Sequence, residues 1–209
     1  KYKEKLSEGK SARSIEIDND EFIDELQLLT NKPVLYVCNV DQDSMQGNNY
    51  TKQIADQILD ENAKMIIIAA GIESEINELD SEDDRKDFLK DIGLNEPGVN
   101  KIIRSTYSLL GLQTFFTAGE KEVKAWTIKK ESSAPKAAGK IHTDFEKGFI
   151  RAETISFEEF VKNNGWINSK NNGKMRLEGK DYIVKDGDVL NFRFNTWPYF
   201  FHTEINQNS

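Results

Sequence analysis

The sequence predicts an α/β unit followed by an α+β unit. Two short apolar runs, at 34–38 and 65–68, flank a stretch with helical periodicity, a spacing typical of a parallel βαβ unit. After Gly111 the pattern changes to short strands separated by turn signals. The charge balance changes there too, from 13 basic and 23 acidic side chains in residues 1–111 to 15 and 12 in residues 112–195. We therefore place a domain boundary at Gly111.

The N-terminal stretch alternates Lys and Glu over residues 1–9, a pattern typical of the exposed end of a long helix or coiled-coil arm that stops at Gly9. The following stretch predicts a second helix. Its candidate N-caps are Asp18, Asn19 and Asp20, and the residues expected to face the sheet are Phe22, Ile23, Leu26 and Leu29.

The first βαβ unit places polar residues where an α/β sheet binds ligands. Val34 to Cys38 predicts a buried parallel strand, and residues 48–59 predict a helix. Met65 to Ile68 predicts the second strand. Ligands bind at the carboxyl ends of such strands, so we expect a recognition loop at Asn39 to Gln42. The expected inner face of the helix is Ile54, Ile58 and Leu59.

The stretch from Glu73 to Asp91 is densely acidic. Paired carboxylates can bind metal or transfer protons, but a solvated helix face is the interpretation that we adopt. A further amphipathic helix is expected to open near Pro97 and to end at Gly111. Its apolar positions are Val99, Ile102, Ile103, Thr106, Leu109 and Leu110.

The second unit reads as a mixed sheet with one helix, which is α+β. Ser156 and Glu159 have the spacing of a capping box, so a short helix is expected to begin there and to run to about Val161. A loop is expected from Ser132 to Lys140. The predicted strands are Gln113–Thr117, Val123–Ile128, Phe149–Ile155, Tyr182–Val184 and Val189–Phe194.

Composition excludes several classes of protein. Mean hydropathy is −0.64, and no apolar run approaches the roughly 20 residues of a membrane helix. No apolar stretch follows the N-terminus as in a secretory signal. Cys38 is the only cysteine, so an internal disulfide is excluded, which fits a cytoplasmic protein. The chain has no initiator Met, and we expect it to be part of a longer protein.

The segment Asn39-Val40-Asp41-Gln42 resembles the fourth nucleotide-binding motif of the Obg-like ATPases, the YchF family of the P-loop GTPase superfamily. GTPases carry Asn-Lys-x-Asp at this motif, and YchF-like proteins carry Asn-x-x-Glu. Gln42 departs from both patterns. The same resemblance extends over Gly9-Lys10, Ala12-Arg13-Ser14, Leu26–Thr30 and residues 112–195, most specifically in Phe116–Gly119, Val123–Thr127, Ile141–Phe149 and Asp186–Val189.

This resemblance implies four segments. Residues 1–17 would be the end of a helical (coiled-coil) insertion and its connection. Residues 18–111 would be the C-terminal part of a G domain, with its P-loop NTPase parallel sheet. Residues 112–195 would be a TGS domain with a β-grasp fold, and residues 196–209 a tail. The parent protein would be cytoplasmic and ribosome-associated, and would bind and hydrolyse ATP or GTP with Mg²⁺.

The base-binding residues implied by the resemblance are Asn39, Val40, Gln42, Ala69 and Ala70. Because Val40 replaces the Lys of the GTPase motif, we expect its backbone N–H and C=O to remain as contacts for the base. The sequence holds no Gly-x-x-x-x-Gly-Lys-Ser/Thr motif to bind phosphates. We therefore expect this chain to carry the base-recognition edge of an ATPase without catalytic residues or a metal site, and to show no ATPase activity alone.

Two alternatives remain, a stand-alone RNA- or ribosome-binding β-grasp module without catalysis and a structural scaffold. His142 is expected to have a local structural or recognition role. Most aromatic side chains of the second unit should pack in the core, whereas Phe145 is expected to be exposed. The candidate RNA or ribosome contacts are Lys124, Lys129, Lys130, His142, Phe145, Lys147 and Arg151.

Overall fold

The computed structural model describes residues 2–15, 25–61 and 63–195. The chain divides after Leu110 into two compact units. No helix in the described part of the chain is long and apolar enough to cross a membrane.

A parallel βαβ unit forms the centre of the first unit, and this confirms the α/β prediction. Strand β1 (Leu35–Asn39) pairs in parallel with β2 (Lys64–Ile68), with Leu35 opposite Lys64 and Asn39 opposite Ile68. Among the described residues of this unit, the α-helices are α1 (Tyr2–Ser7), α2 (Asn49–Ile58), α3 (Ala70–Glu78), α4 (Glu82–Asp91) and α5 (Gly98–Leu109).

Helix α2 starts at a capping box. The Asn48 side chain accepts from the backbone N–H of Thr51 at 3.0 Å, and the Thr51 hydroxyl accepts from the Asn48 N–H at 2.8 Å. Ile58 is buried at its other end, but Leu59 is 77% exposed, so the prediction of an inward Leu59 is wrong. The reason is that the helix ends at Ile58 and the chain continues as a 3-10 turn over Leu59–Glu61.

The Ala12-Arg13-Ser14 segment is anchored to the parallel unit. Arg13 Nη2 lies 2.5 Å from Glu61 Oε2, and Arg13 Nη1 donates to the Thr30 carbonyl at 3.1 Å. The hydrogen bond from Arg13 is the largest influence on the Glu61 carboxyl, whose pKa lies below its ordinary value despite partial desolvation; a hydrogen bond from Tyr36 also lowers it.

The expected helix after residue 17 lies mostly outside the described residues, including its candidate caps, Phe22 and Ile23. Leu26 is 50% exposed and Leu29 is 78% exposed, so their predicted inward orientation is wrong. Leu29 belongs to a 3-10 turn, Leu29–Asn31, which presents no continuous helical face.

The acidic stretch forms α3 and α4, with Ser81 Oγ accepting from the Asp84 N–H at 3.0 Å at the start of α4. Ile72, Ile76 and Leu89 from the two helices pack with Ala69 in one buried cluster, and the acidic side chains lie at or near the surface. The interpretation as a solvated face is therefore confirmed for every acidic side chain of this stretch except Glu73, which is partly buried.

The second unit is a five-stranded mixed sheet. Its strands are β3 (Leu112–Ala118), β4 (Val123–Lys129), β5 (Phe149–Ser156), β6 (Arg176–Glu178) and β7 (Asp188–Phe194). They lie side by side in the order β4-β3-β7-β5-β6. Strands β3 and β7 are parallel neighbours at the centre of the sheet, and the other pairs are antiparallel, which is the β-grasp arrangement.

One face of this sheet is covered by a helix that the sequence analysis assigned to a loop. Residues Ala134–Ile141 form α6, with Pro135 in its first turn. Ala134, Ala137 and Ala138 are fully buried in the core cluster, which also holds Phe115 and Phe192. The prediction was wrong because the buried face is built from alanines, which give no large apolar periodicity, and because Pro135 and Gly139 read as loop signals.

Four other short elements differ from the prediction. Helices α7 (Thr143–Lys147) and α9 (Trp166–Asn171) and strand β6 were not expected. Tyr182–Val184 is not a strand, since it contributes a single bridge between Ile183 and Ser133. The predicted helix after Ser156 is present as α8 (Phe157–Lys162), with Ser156 Oγ accepting from the Glu159 N–H.

We expect a protein comprising only residues 112–195 to fold independently, because its core cluster is drawn from within that range. Thermal unfolding followed by far-UV circular dichroism should be sigmoidal, as is usual for small single domains. The whole chain is the reference. A gradual, non-cooperative loss of signal from residues 112–195 would contradict the expectation.

Candidate nucleotide-recognition site

The loops after β1 and β2 leave the sheet side by side. Because Asn39 lies opposite Ile68 in a parallel register, the segments beginning at Val40 and Ala69 emerge at the same edge. This carboxyl edge is where α/β sheets bind ligands. The pairing thus places all five predicted base-binding residues at two adjacent strand ends.

Asn39 joins the two loops directly. Its side-chain Oδ1 accepts a hydrogen bond from the backbone N–H of Ala70 at 3.0 Å. Asn39 is exposed, and its amide nitrogen has no hydrogen-bond partner in the described part of the chain. One half of this amide therefore fixes the edge, and the other half can donate to a ligand.

Val40 has a different role from the one expected. Its backbone N–H donates to the Ile68 carbonyl at 2.9 Å, and its side chain packs against the cluster formed by Ala69, Ile72 and their neighbours. The prediction that this N–H remains for a base contact is wrong, because the parallel pairing continues one residue beyond β1 and uses the donor.

Gln42 opens a 3-10 turn, Gln42–Ser44, in which the Ser44 N–H donates to the Asp41 carbonyl at 3.1 Å. Gln42 and Asp41 are both exposed. The Gln42 amide makes no hydrogen bond within the described residues. It keeps both its acceptor and its donors for a ligand.

Ala69 and Ala70 lie at the start of helix α3. Ala69 is 7% exposed and has an extended backbone, whereas Ala70 is exposed and begins the helix. Both side chains are single methyl groups, and the Ala70 N–H is the donor that Asn39 accepts.

Residues 112–195 match the family described as YchF-GTPase_C, a protein of unknown function (DUF933). The ribosome-binding ATPase YchF of Bacillus subtilis is 48% identical over 200 residues, covering 93% of this chain and 54% of the relative. Its counterpart in Haemophilus influenzae is 52% identical over 185 residues, covering 88% and 51%.

The chain belongs to the YchF family. The solved structure of the Schizosaccharomyces pombe YchF GTPase agrees, with a TM-score of 0.76, 33% identity, and coverage of 91% of this chain and 52% of that one. A GTP-binding protein from Pyrococcus horikoshii, at 19% identity and a TM-score of 0.52, shares the fold. The chain spans about half the length of the curated YchF relatives that it matches.

The candidate RNA contacts lie in the part that matches the YchF C-terminal family. Lys124, Lys129, Lys130, Lys147 and Arg151 are all exposed. Lys124 has its ammonium 4.3 Å from the centre of the Trp126 ring, a cation–π contact that holds one lysine in place. The other four make no ion pair or hydrogen bond through their side chains in the described part of the chain.

His142 and Phe145 have structural contacts. His142 Nδ1 accepts from the Asp144 N–H at 3.2 Å and so caps α7, which agrees with a local structural role. Phe145 stacks on Phe194 with ring centres 3.8 Å apart and packs against the core cluster. The prediction of an exposed Phe145 is wrong, because α7 turns this side chain toward the sheet.

A polar cluster on β5 and β7 was not predicted from the sequence. Arg193 makes two hydrogen bonds to the Glu153 carboxylate, each of 3.1 Å, and Asn191 donates to the same group at 2.9 Å. Burial raises the pKa of Glu153, but these bonds and the charges of Arg193 and Arg151 outweigh it and lower the pKa overall. The available signal was alternation within each strand, which puts Arg151 and Glu153 on one face of β5 and Asn191 and Arg193 on one face of β7.

Proposed function

We propose that the loops after β1 and β2 bind the base of a nucleoside triphosphate in a longer YchF-type ATPase. The observation that carries the proposal is the hydrogen bond from Ala70 to Asn39, which joins the two segments and leaves the Asn39 amide nitrogen free. The ligand is ATP or GTP. In this proposal residues 18–111 are the end of the G domain, and residues 1–17 end its helical insertion.

The chemistry of the edge favours adenine. The free Asn39 amide nitrogen would donate to N7, an acceptor that adenine and guanine share, so the preference comes from Gln42. The Watson–Crick edge of adenine pairs one donor with one acceptor, and the Gln42 amide matches both. Guanine presents two donors at that edge, for which a single amide oxygen is a poorer partner.

Hydrolysis is proposed for the parent protein, with Mg²⁺ and the phosphates bound by residues outside this chain. Within the described residues no group of three or more His, Cys, Asp or Glu side chains could hold a metal ion. The proposed location is the cytoplasm, in line with relatives named for ribosome binding.

Replacement of Asn39 by Ala in the full-length protein is expected to weaken ATP binding about tenfold or more. The change removes a donor to the base and the acceptor that holds Ala70, and each such hydrogen bond contributes about 1 kcal/mol. Isothermal titration with a non-hydrolysable ATP analogue measures the effect. Asn95→Ala, at an exposed position in the same unit, is the control; equal losses in both variants would contradict the proposal.

A second candidate function belongs to residues 112–195, proposed as a TGS domain that contacts RNA on the ribosome. Its support is the set of exposed, unpaired basic side chains together with relatives named as ribosome-binding ATPases. Basic side chains bind RNA chiefly through its phosphates. Lys147 and Arg151 are the pair chosen for the test, since both are exposed, lie near His142 and Phe145 in the sequence, and make no ion pair within the described residues.

The double variant Lys147→Glu, Arg151→Glu is expected to weaken ribosome or RNA binding and to reduce its salt dependence. Each lost phosphate contact should lower the slope of log affinity against log salt by about 1. Co-sedimentation at several salt concentrations measures both quantities. Lys121→Glu, Lys180→Glu gives the same charge change at other exposed positions. Equal behaviour of the two double variants would place the contact elsewhere.

A further inference from the structure

Helix α3 connects the recognition edge to another helix through Glu73. Glu73 Oε1 accepts from the backbone N–H of Gly98 at 2.5 Å, and Oε2 lies 3.4 Å from the N–H of Val99. These two donors belong to the first turn of α5. The carboxylate of one helix thus caps another helix that begins 25 residues later in the chain.

Helix α5 has no cap of its own. Pro97 occupies its N-cap position and offers no side-chain acceptor, although the first N–H groups of a helix require partners. A carboxylate suits this place because the N-terminus of a helix carries partial positive charge. Glu73 therefore supplies what the sequence around Pro97 lacks.

The contact is fitted closely to the end of β2. Gly98 is buried, and a Cβ atom there would lie 2.8 Å from Glu73 Oε1 and 3.2 Å from Ile68 Cγ2. Only a residue without a side chain leaves both neighbours undisturbed. Ile68 is also the residue that pairs with Asn39. The start of α5, the carboxylate of Glu73 and the end of β2 therefore meet at one point.

Glu73 and Ala70 lie in the same first turn of α3. The Glu73 N–H donates to the Ala69 carbonyl at 3.2 Å, and the Ala70 N–H donates to Asn39. A displacement of Glu73 would be transmitted through this turn to Ala70, because the helical hydrogen bond holds the turn as a unit. The amide orientation of Asn39 depends on the same N–H.

We propose that Glu73 is a positioning residue for base recognition. Its carboxylate, held by the N-terminus of α5, fixes the first turn of α3, so that Ala70 keeps Asn39 oriented with its amide nitrogen toward the ligand. The role in binding rests on the proposed nucleotide function. The positioning of Ala70 does not, and it can be measured without a nucleotide.

The first test is hydrogen exchange of the Ala70 amide, measured by NMR in the 209-residue chain. Glu73→Ala should speed this exchange about fivefold or more, and Glu73→Gln, which retains one acceptor, should have an intermediate effect. Ser81→Ala is the matched control, because it removes the cap of α4 in the same unit. Exchange is compared with that of amides in the second unit.

Unchanged Ala70 exchange in Glu73→Ala would overturn the proposal, as would an equal increase in Ser81→Ala, since Glu73 would then act only on general stability. If Glu73→Ala does not fold, the Ala70 exchange rate of Glu73→Gln is compared with that of Ser81→Ala instead. Restored protection in the Gln variant relative to the Ala variant supports positioning by the capping bond.

The second test measures ATP and GTP affinities in the full-length protein. Glu73→Ala should weaken the preferred nucleotide about fivefold and reduce discrimination between the two, whereas Ser81→Ala should change neither. Unaltered discrimination in Glu73→Ala would overturn the role in recognition. If the unmutated protein binds neither nucleotide, the proposed function fails, and the Ala70 exchange still decides whether Glu73 positions this edge.

Discussion

Replacing Gln42 with Asp in the full-length protein is expected to move the nucleotide preference from ATP toward GTP. Gln42 is exposed at the start of its turn and has no partner within the described residues, so its amide is available to a base. A carboxylate at this position offers two acceptors to the two donors of guanine. It has no donor for the acceptor of adenine. The unmutated protein should therefore prefer ATP.

The expected change is about 1–3 kcal/mol, the usual value of a bidentate base contact. Competitive titration of ATP and GTP against a fluorescent nucleotide would measure it. Gln46→Asp is a suitable control, because it places the same charge at another exposed position of the same loop. Equal affinities for ATP and GTP in the unmutated protein, or the same shift in the control variant, would reject base reading by Gln42.

Replacing Phe115 with Ala is expected to destabilise the second unit by about 3–5 kcal/mol, the usual cost of truncating a buried Phe. Phe115 has no exposed surface. Its ring packs edge-on against Phe192 with centres 5.9 Å apart, and its centre lies 6.4 Å from that of Trp126. The small side chains of α6 cannot move in to fill the space, because the helix already rests on the sheet.

Urea unfolding measures this loss, with near-UV circular dichroism reporting on Trp126 and its neighbours. Phe157→Ala is the matched control, since Phe157 is 51% exposed while contacting Phe116 with ring centres 5.6 Å apart. The control should lose less than half as much stability. Similar losses in the two variants would show that the buried cluster around Phe115 is not the principal core of the unit.

The sequence was sufficient for the parts in which a local pattern decides the element. The β-branched run at Val34–Cys38, the helical stretch that follows it and the strand at Met65–Ile68 have the spacing of a parallel βαβ unit. The structure contains that unit, although both strands are only half-buried and were expected to be buried. Ser156 similarly predicted the start of α8, because a capping hydrogen bond is made between residues close in sequence.

Prediction from the sequence failed where the contact that determines a residue's environment joins residues far apart in the chain. Helix α6 could not be predicted because its buried face consists of alanines, and these show themselves as core residues only once the sheet packs against them. The Val40 N–H was assigned to a base because its partner, the Ile68 carbonyl, is visible only once the two strands pair. Phe145 was expected at the surface because its acidic neighbours masked its stacking on Phe194.

The sequence by itself determined the fold class, the positions of the strands around Asn39 and the residue types that a base could meet there. Only the tertiary structure decided which of their hydrogen-bonding groups are free. Residue type and spacing define what each group can donate or accept. Whether a group already has a hydrogen-bond partner depends on residues 25 to 31 positions away, as with Glu73 and Gly98 or Asn39 and Ala70. Such pairs meet only when the strands and helices pack.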